Sequence, residues 1–107
     1  MSRDEFVAQF QSTGVATAIA AAVYDQFQKL GTWKGFMPNP VDTLEKTYKT
    51  ADEDVEENLK EILQRLGFEM PHSDILQEWD GPLETLSDVV RWVDWVRTKQ
   101  NPSVTTQ

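Results

Sequence analysis

Apolar residues recur along much of the chain at spacings of three and four, which is the period of an amphipathic helix. Three such stripes are long enough to predict helices, and no segment shows the alternation of a β-strand. The stripes are Val15, Ile19, Ala22, Val23, Phe27 and Leu30; Val55, Leu59, Ile62, Leu63 and Leu66; and Leu86, Val89, Val90, Val93 and Val96. The chain is therefore predicted to be all-α.

Helix-end signals support these three helices and add shorter ones. Gly31 and Gly67 follow the first and second stripes. A threonine with an acid three residues later precedes the second and third stripes, in Thr50 with Glu53 and in Thr85 with Asp88. The same spacing in Ser2 with Glu5 predicts a short N-terminal helix, and in Asp42 with Glu45 it predicts a single helical turn. A short turn is also expected around residues 74–78, and "GTWKGFMPNPV" is predicted to be a loop.

The central segment "PVDTLEKTYKTADEDVEENLKEILQRLGFEMP" resembles the corresponding part of acyl carrier proteins. Members of that family have a proline with apolar residues four and eight positions later, then Asp-Ser-Leu at the start of an acidic helix that ends near Gly-Ile-Glu-Ile-Pro. Here Pro40 is followed by Leu44 and Tyr48, and the helix ends in "GFEMP". Counting from either proline, Pro40 or Pro71, places Ala51-Asp52-Glu53 at the Asp-Ser-Leu motif without a gap.

The last stripe extends the resemblance, which covers roughly residues 15–98. "LETLSDVVRWVDWV" is similar to the family's final helix if "QEWDGP" is an insertion. The resemblance implies an acyl-carrier-like bundle of three long helices plus a short one, with an extra short N-terminal helix. It divides the chain into an N-terminal extension (1–13), an acyl-carrier-like helical domain (14–98) and a flexible tail (99–107).

The same alignment shows a departure at the residue that defines the family. An acyl carrier protein bears phosphopantetheine on a serine hydroxyl, and the position of that serine is occupied here by Asp52. A carboxylate cannot take the hydroxyl's place in that transfer. Where the family presents apolar residues to partner enzymes, this chain has Glu53, Glu56 and Lys60. The resemblance thus implies a carrier-like module that has lost its attachment site.

Composition and charge restrict the partners. Residues 1–50 carry five acids and five bases, whereas residues 51–107 carry thirteen acids and five bases, so the net charge of −8 comes from the second half. Such a surface disfavours nucleic acid and anionic membranes and favours a protein with a basic surface. The residues predicted to contact it are Glu53, Asp54, Glu56, Glu57, Lys60 and Glu61. Acids at a helix start also complement the helix dipole, by about 0.3–1 kcal/mol each, which accounts for two or three of them.

Other candidate sites are weaker. Asp52, Asp54 and Glu56 imitate a calcium loop, but the required glycine is missing and Leu63 stands at the twelfth position, so no metal site is expected. The chain contains no cysteine, and "HSD" at residues 72–74 reads as an exposed loop and not as a catalytic triad. Trp92 and Trp95 flank the last stripe and either cover the core edge or form an aromatic partner patch.

Two functions therefore remain open, and neither is enzymatic. The first is a non-catalytic acyl-carrier-like module, without a cofactor, that binds a basic protein such as a biosynthetic enzyme through its acidic helix. The second is a divergent acyl carrier of fatty acid, polyketide or related biosynthesis that carries phosphopantetheine on another serine. A cytoplasmic location is expected, because no stretch approaches the ~20 apolar residues of a membrane span.

Overall fold

Helices account for all the regular structure in the part of the chain that is described. The computed structural model describes residues 2–29, 37–44 and 52–100, with only the backbone of 52–54, and within these ranges it contains five α-helices and no β-strand. The helices are α1 (Arg3–Gln11), α2 (Thr17–Gln28), α3 (Asp52–Leu66), α4 (Ser73–Leu76) and α5 (Leu86–Gln100). The all-α prediction is confirmed for these residues. The predicted stop at Gly31, the Thr50 cap and most of the turn after Asp42 lie outside them.

The predicted N-terminal helix forms, and its cap is the expected one. The Ser2 hydroxyl accepts a hydrogen bond from the Glu5 amide at 3.2 Å, and the Glu5 carboxylate accepts one from the Ser2 amide at 3.3 Å. Hydrogen bonding of the Glu5 carboxylate to the side chain and the backbone amide of Ser2 stabilises its charged form and lowers the pKa of Glu5. Phe6 is fully buried, with ring centroids 5.3 Å from both Phe10 and Tyr24. The N-terminal extension is therefore packed against the helical core.

Helix α2 is the centre of the core. Eight of its twelve residues are buried, and α1, α3 and α5 all pack against it. The consecutive alanines 20, 21 and 22 are among these buried residues, and their small side chains allow neighbouring helices to approach closely. Arg3 of α1 donates two hydrogen bonds to the Asp25 carboxylate on an exposed side of α2, at 3.0 and 3.2 Å.

The predicted stripes of α3 and α5 face the core. In α3, Leu59, Ile62 and Leu63 are buried, while Val55 and Leu66 are partly buried against the same cluster. All five predicted positions of α5 are fully buried: Leu86, Val89, Val90, Val93 and Val96. The helix register read from the sequence is therefore confirmed for both helices.

The start of α5 is capped from two directions. The Thr85 hydroxyl accepts a hydrogen bond from the Asp88 amide at 3.3 Å, as predicted, and the buried Asp88 carboxylate accepts bonds from the Glu84 and Thr85 amides at 2.9 and 3.0 Å. Arg91 completes the cap with an ion pair to Asp88 at 2.5 Å. Backbone hydrogen bonds then join this cap to residues 40–44 of the long connection.

The end of α5 differs from the predicted division of the chain. The sequence predicts a flexible tail from residue 99, but Lys99 and Gln100 are helical. Both side chains have partners that hold them: Lys99 pairs with Glu78 at 3.1 Å, and Gln100 exchanges hydrogen bonds with the Glu69 backbone. The short turn predicted around residues 74–78 is observed as α4 and the turn after it. None of the described helices has the length and apolar character that crossing a membrane requires.

Alanine substitutions in α3 and α5 should distinguish buried from exposed positions by their effect on the free energy of unfolding. Leu59→Ala and Val93→Ala should each lower the free energy of unfolding by about 2–4 kcal/mol, because Leu59 is only 5% exposed and Val93 is fully buried. Glu56→Ala, on the exposed face of α3, should change it by less than about 0.5 kcal/mol. Urea denaturation followed by circular dichroism measures all three, and an equal or larger loss for Glu56→Ala would contradict the observed register.

The Asp88 cap should make stability depend on pH. Burial raises the pKa of Asp88, but hydrogen bonds from the Glu84 and Thr85 amides and the charge of Arg91 outweigh it, so the net shift is downward. A carboxyl group whose pKa is lowered by folding stabilises the fold above its unfolded pKa of about 3.9, and that contribution is lost as the pH falls through the folded pKa.

Asp88→Asn should therefore cost about 1–3 kcal/mol of unfolding free energy at neutral pH, because an amide cannot replace the charged acceptor. The difference between the two proteins should narrow as the pH falls below about 4. Asp80→Asn, at an exposed acid, controls for the loss of one negative charge. A difference between native and Asp88→Asn protein that stays constant down to about pH 2 would show that the Asp88 charge does not stabilise the cap.

Candidate functional site

The outer surface of α3 carries the predicted partner-binding residues. Glu56, Glu57, Lys60 and Glu61 are all exposed, whereas Leu59, Ile62 and Leu63 of the same helix are buried. We call the four exposed side chains the acidic face, since they comprise three carboxylates and one ammonium group. Because α3 buries its apolar stripe in the core, these charged side chains are presented to solvent.

Asp52, which the sequence resemblance predicts to stand at the carrier serine position, is the first residue of α3. Asp52, Glu53 and Asp54 form the opening turn of this helix, and their side chains lie outside the described part. Acids at these positions complement the positive end of the helix dipole, so they stabilise the helix start whether or not a partner binds there. An aspartate at position 52 offers no hydroxyl group for esterification.

A polar contact between helices ties the acidic face to the core. Gln26 of α2 is only 2% exposed, and its Nε2 donates hydrogen bonds to Asn58 Oδ1 at 2.7 Å and to Glu61 Oε2 at 2.5 Å. Glu61 thus has an exposed carboxylate with one oxygen engaged by α2. Within the described residues, Gln26 Oε1 is buried without a hydrogen-bond partner. The contact fixes the orientation of α3 about its axis. It also holds one oxygen of the Glu61 carboxylate against α2, a restraint that the predicted docking role of Glu61 does not need.

The two tryptophans predicted as an aromatic patch do not share a surface. Trp92 is 3% exposed, because it follows Val89 by three positions and so shares the buried side of α5. Trp92 therefore belongs to the core, and of its two predicted roles the exposed aromatic patch is wrong. Trp95 is partly exposed, lies 5.4 Å from Trp79 between ring centroids, and has the Lys99 ammonium 5.7 Å above its ring. The surface aromatic pair is therefore Trp79 with Trp95.

The structure brings together no catalytic constellation at the other candidate residues. His72, Ser73 and Asp74 are exposed at the start of the four-residue helix α4. A half-open cleft of about 320 Å³ lies beside them, lined by Glu69, Met70, Pro71, His72, Ile75, Lys99 and Gln100. This volume is at the low end of the ~300–1,000 Å³ of ligand pockets, and the cleft is too open to enclose a ligand. Across the described ranges, no three acids or histidines are grouped so as to hold a metal ion.

Two features of this region have only a weak signal in the sequence. Gln26 lies between Val23 and Phe27 on the apolar side of α2, and a single polar residue in such a stripe indicates a buried partner without identifying it. Trp79 lies in the "QEWDGP" insertion, where no helical period relates it to Trp95. Gly81 packs against the Trp79 ring, and a Cβ atom there would approach a ring carbon to 2.9 Å.

Comparisons with models of known protein families, with curated proteins and with solved structures find no match to this chain. The chemical possibilities are therefore set by the side chains themselves. The acidic face offers carboxylates that can attract and orient a cationic surface.

Proposed function

We propose that this protein is a non-catalytic, acyl-carrier-like module that lacks the phosphopantetheine attachment serine and binds a basic protein surface through α3. The observation that carries the proposal is the acidic face of α3: its carboxylates are exposed, and the helix begins at Asp52, which aligns with the carrier serine in the resemblance. The module would act as a binding or regulatory subunit and not as an enzyme.

Electrostatics supports a protein partner. The acidic face and the opening turn of α3 place Asp52, Glu53, Asp54, Glu56, Glu57 and Glu61 on one helix, against Lys60 and Arg65. This excess of negative charge attracts a basic surface over about a Debye length, ~10 Å at 0.1 M salt, and speeds the encounter. A biosynthetic enzyme with a basic docking surface fits this description, and nucleic acid and anionic membrane do not.

The alternative is a divergent carrier that is modified on a different serine. Ser73 is exposed at the start of α4, and this exposure is the observation that keeps the alternative open. Its flanks do not match the Asp-Ser-Leu motif, because it stands between His72 and Asp74. Ser87 is half-buried and its amide is bonded to the Pro40 carbonyl, so it is the less accessible of the two.

Modification by coenzyme A distinguishes the two functions. Incubation with coenzyme A and a broad-specificity phosphopantetheinyl transferase should leave the intact mass unchanged, because position 52 offers no hydroxyl group. The Asp52→Ser variant supplies a hydroxyl group at this position, so its modification tests whether the transferase recognises the surrounding surface. An unrelated carrier protein is the positive control. An added phosphopantetheine on the native chain would support the divergent carrier, and Ser73→Ala would locate it.

Charge reversal tests the acidic face. The double variant Glu56→Lys, Glu57→Lys should keep its helical circular dichroism, because both residues are exposed, and should lose capture of the protein that the native chain retrieves from its host. Capture by the native chain should weaken as salt rises.

The matched control is Glu69→Lys, Asp80→Lys, which changes two exposed acids in connections between helices and likewise raises the formal net charge from −8 to −4. If both double variants lose binding equally, overall charge and not the acidic face is responsible. If neither loses it, the acidic face is only a solvated surface.

A further inference from the structure

The connection from α3 to α5 contributes no buried side chain to the core. We call its residues 69–83 the strap, and every one of them is exposed or partly buried. The strap begins beyond Gly67, where α3 ends with a φ angle of 83°, and it stops before Glu84, whose carbonyl is bonded to the Leu44 amide. Its apolar side chains that pack against the core are only partly buried: Met70, Leu76, Trp79 and Leu83.

Two exposed polar contacts fasten the strap to the last turn of α5. Gln100 Nε2 donates to the Glu69 carbonyl at 2.5 Å, and Gln100 Oε1 accepts a hydrogen bond from the Glu69 amide at 3.2 Å. The Lys99 ammonium donates to the Glu78 carboxylate at 3.1 Å. Exposed contacts of this kind contribute little individually, because water competes for the same groups. Both involve the neighbouring residues Lys99 and Gln100, so they are lost together when the strap separates from α5.

The aromatic contact of the strap leaves a polar group without a partner. The Trp79 ring packs on Trp95 with 5.4 Å between ring centroids, and within the described residues its Nε1 atom is buried and has no hydrogen-bond partner. An indole N–H that is buried in this way has given up its hydrogen bond to water and gained none in return. Opening of the strap restores the bond to water, so this group works against the closed form.

The strap and α5 are also incompletely packed where they meet. The half-open cleft of about 320 Å³ has Met70 and Ile75 on its strap side and Lys99 and Gln100 on its α5 side. Side chains that line a gap lack contact partners there and gain less dispersion energy. Few buried apolar contacts and exposed hydrogen bonds are the features of segments that open at a lower free energy than the whole domain.

We propose that the strap opens from α5 as one unit while the packing of α1, α2, α3 and α5 stays intact, and that the unpaired Trp79 N–H favours the open form. The polar contacts converge on Lys99 and Gln100 and the aromatic contact on Trp95, so separation at this end of α5 releases the whole segment. Opening uncovers Trp95 and the apolar side chains of the strap, which makes the strap a removable cover over an apolar surface. This conformational change does not involve the acidic face and does not depend on the proposed binding role of α3.

Native-state hydrogen exchange measured by NMR tests the proposal. The Ile75, Gln77, Glu78 and Trp79 amides donate to carbonyls within the strap, so their exchange reports its opening, whereas amides in the middle of α2 report global unfolding. Because one opening exposes all four strap amides, their protection factors should agree to within about threefold and lie at least about 100-fold below those of α2. Protection equal to that of α2 would overturn the proposal.

Two variants distinguish opening of the strap from global unfolding and from independent local motions. Leu59→Ala should speed exchange in α2 and leave the strap amides unchanged, because Leu59 stays packed when only the strap opens. The double variant Lys99→Ala, Gln100→Ala keeps good helix formers in α5 and should speed exchange of all four strap amides about fivefold or more. Exchange in α2 should rise by the same factor, since global unfolding breaks the same contacts.

The matched control is Thr98→Ala, at an exposed residue of the same turn whose hydroxyl bonds to the Asp94 carbonyl of α5, and it should change strap exchange by less than about twofold. Strap exchange that rises in Leu59→Ala as much as exchange in α2 would overturn the proposal, because the strap would then open only by global unfolding. Unchanged strap exchange in the double variant would also overturn it, because each amide would then exchange by its own local motion.

Replacement of Trp79 by 3-benzothienylalanine tests the role of the indole N–H. This residue keeps the shape of the ring and has a sulfur atom in place of the N–H, so the closed strap no longer buries an unpaired donor. Exchange of the strap amides should therefore slow about fivefold or more. Unchanged or faster exchange would overturn the role assigned to Trp79.

Discussion

The burial of α2 on three sides is the constraint on which the rest of the described structure depends. Because α1, α3 and α5 all pack against this one helix, each of them needs only one apolar face, and the opposite face is free to carry charge. Ala20, Ala21 and Ala22 suit the central position, since larger side chains would hold the neighbouring helices apart. Because α2 is enclosed by these helices, their outer faces are free to carry the charged surface of the protein.

A polar residue inside this arrangement gives it a specific orientation. Burying the Gln26 amide is unfavourable unless its groups are bonded, and the bonds to Asn58 and Glu61 form only when α3 has one rotation about its axis. Apolar packing alone tolerates small rotations, because leucine and isoleucine contacts have no strong direction. The Gln26 contact therefore couples the core to the acidic face, and a surface that must match a partner benefits from such a restraint.

The sequence predicts those parts of the fold that depend on local periodicity and caps. The stripes of α3 and α5, the Ser2–Glu5 box and the Thr85 cap are all of this kind, since each follows from residues within a turn or two of one another. The spacing of Trp92 to Val89 fits its burial, which agrees with the first of its two predicted roles, covering the core, and not with an exposed partner patch. Two further contacts join different elements of the fold, that of Trp79 with Trp95 and that of Gln26 with Asn58. Their geometry depends on the course of the connecting segments, which the helical period of the sequence does not specify. The docking role of the acidic face and the loss of the carrier arm stay predictions.

The proposed acidic face would contribute to binding mainly by raising the rate of encounter. Charge acts over several ångströms and raises the rate of encounter, but exposed pairs contribute little once formed, because water and salt screen them. An apolar side chain acts only in contact, and burying it slows dissociation, through which most affinity differences between related complexes arise. A small acidic domain with charge alone would associate quickly and release quickly.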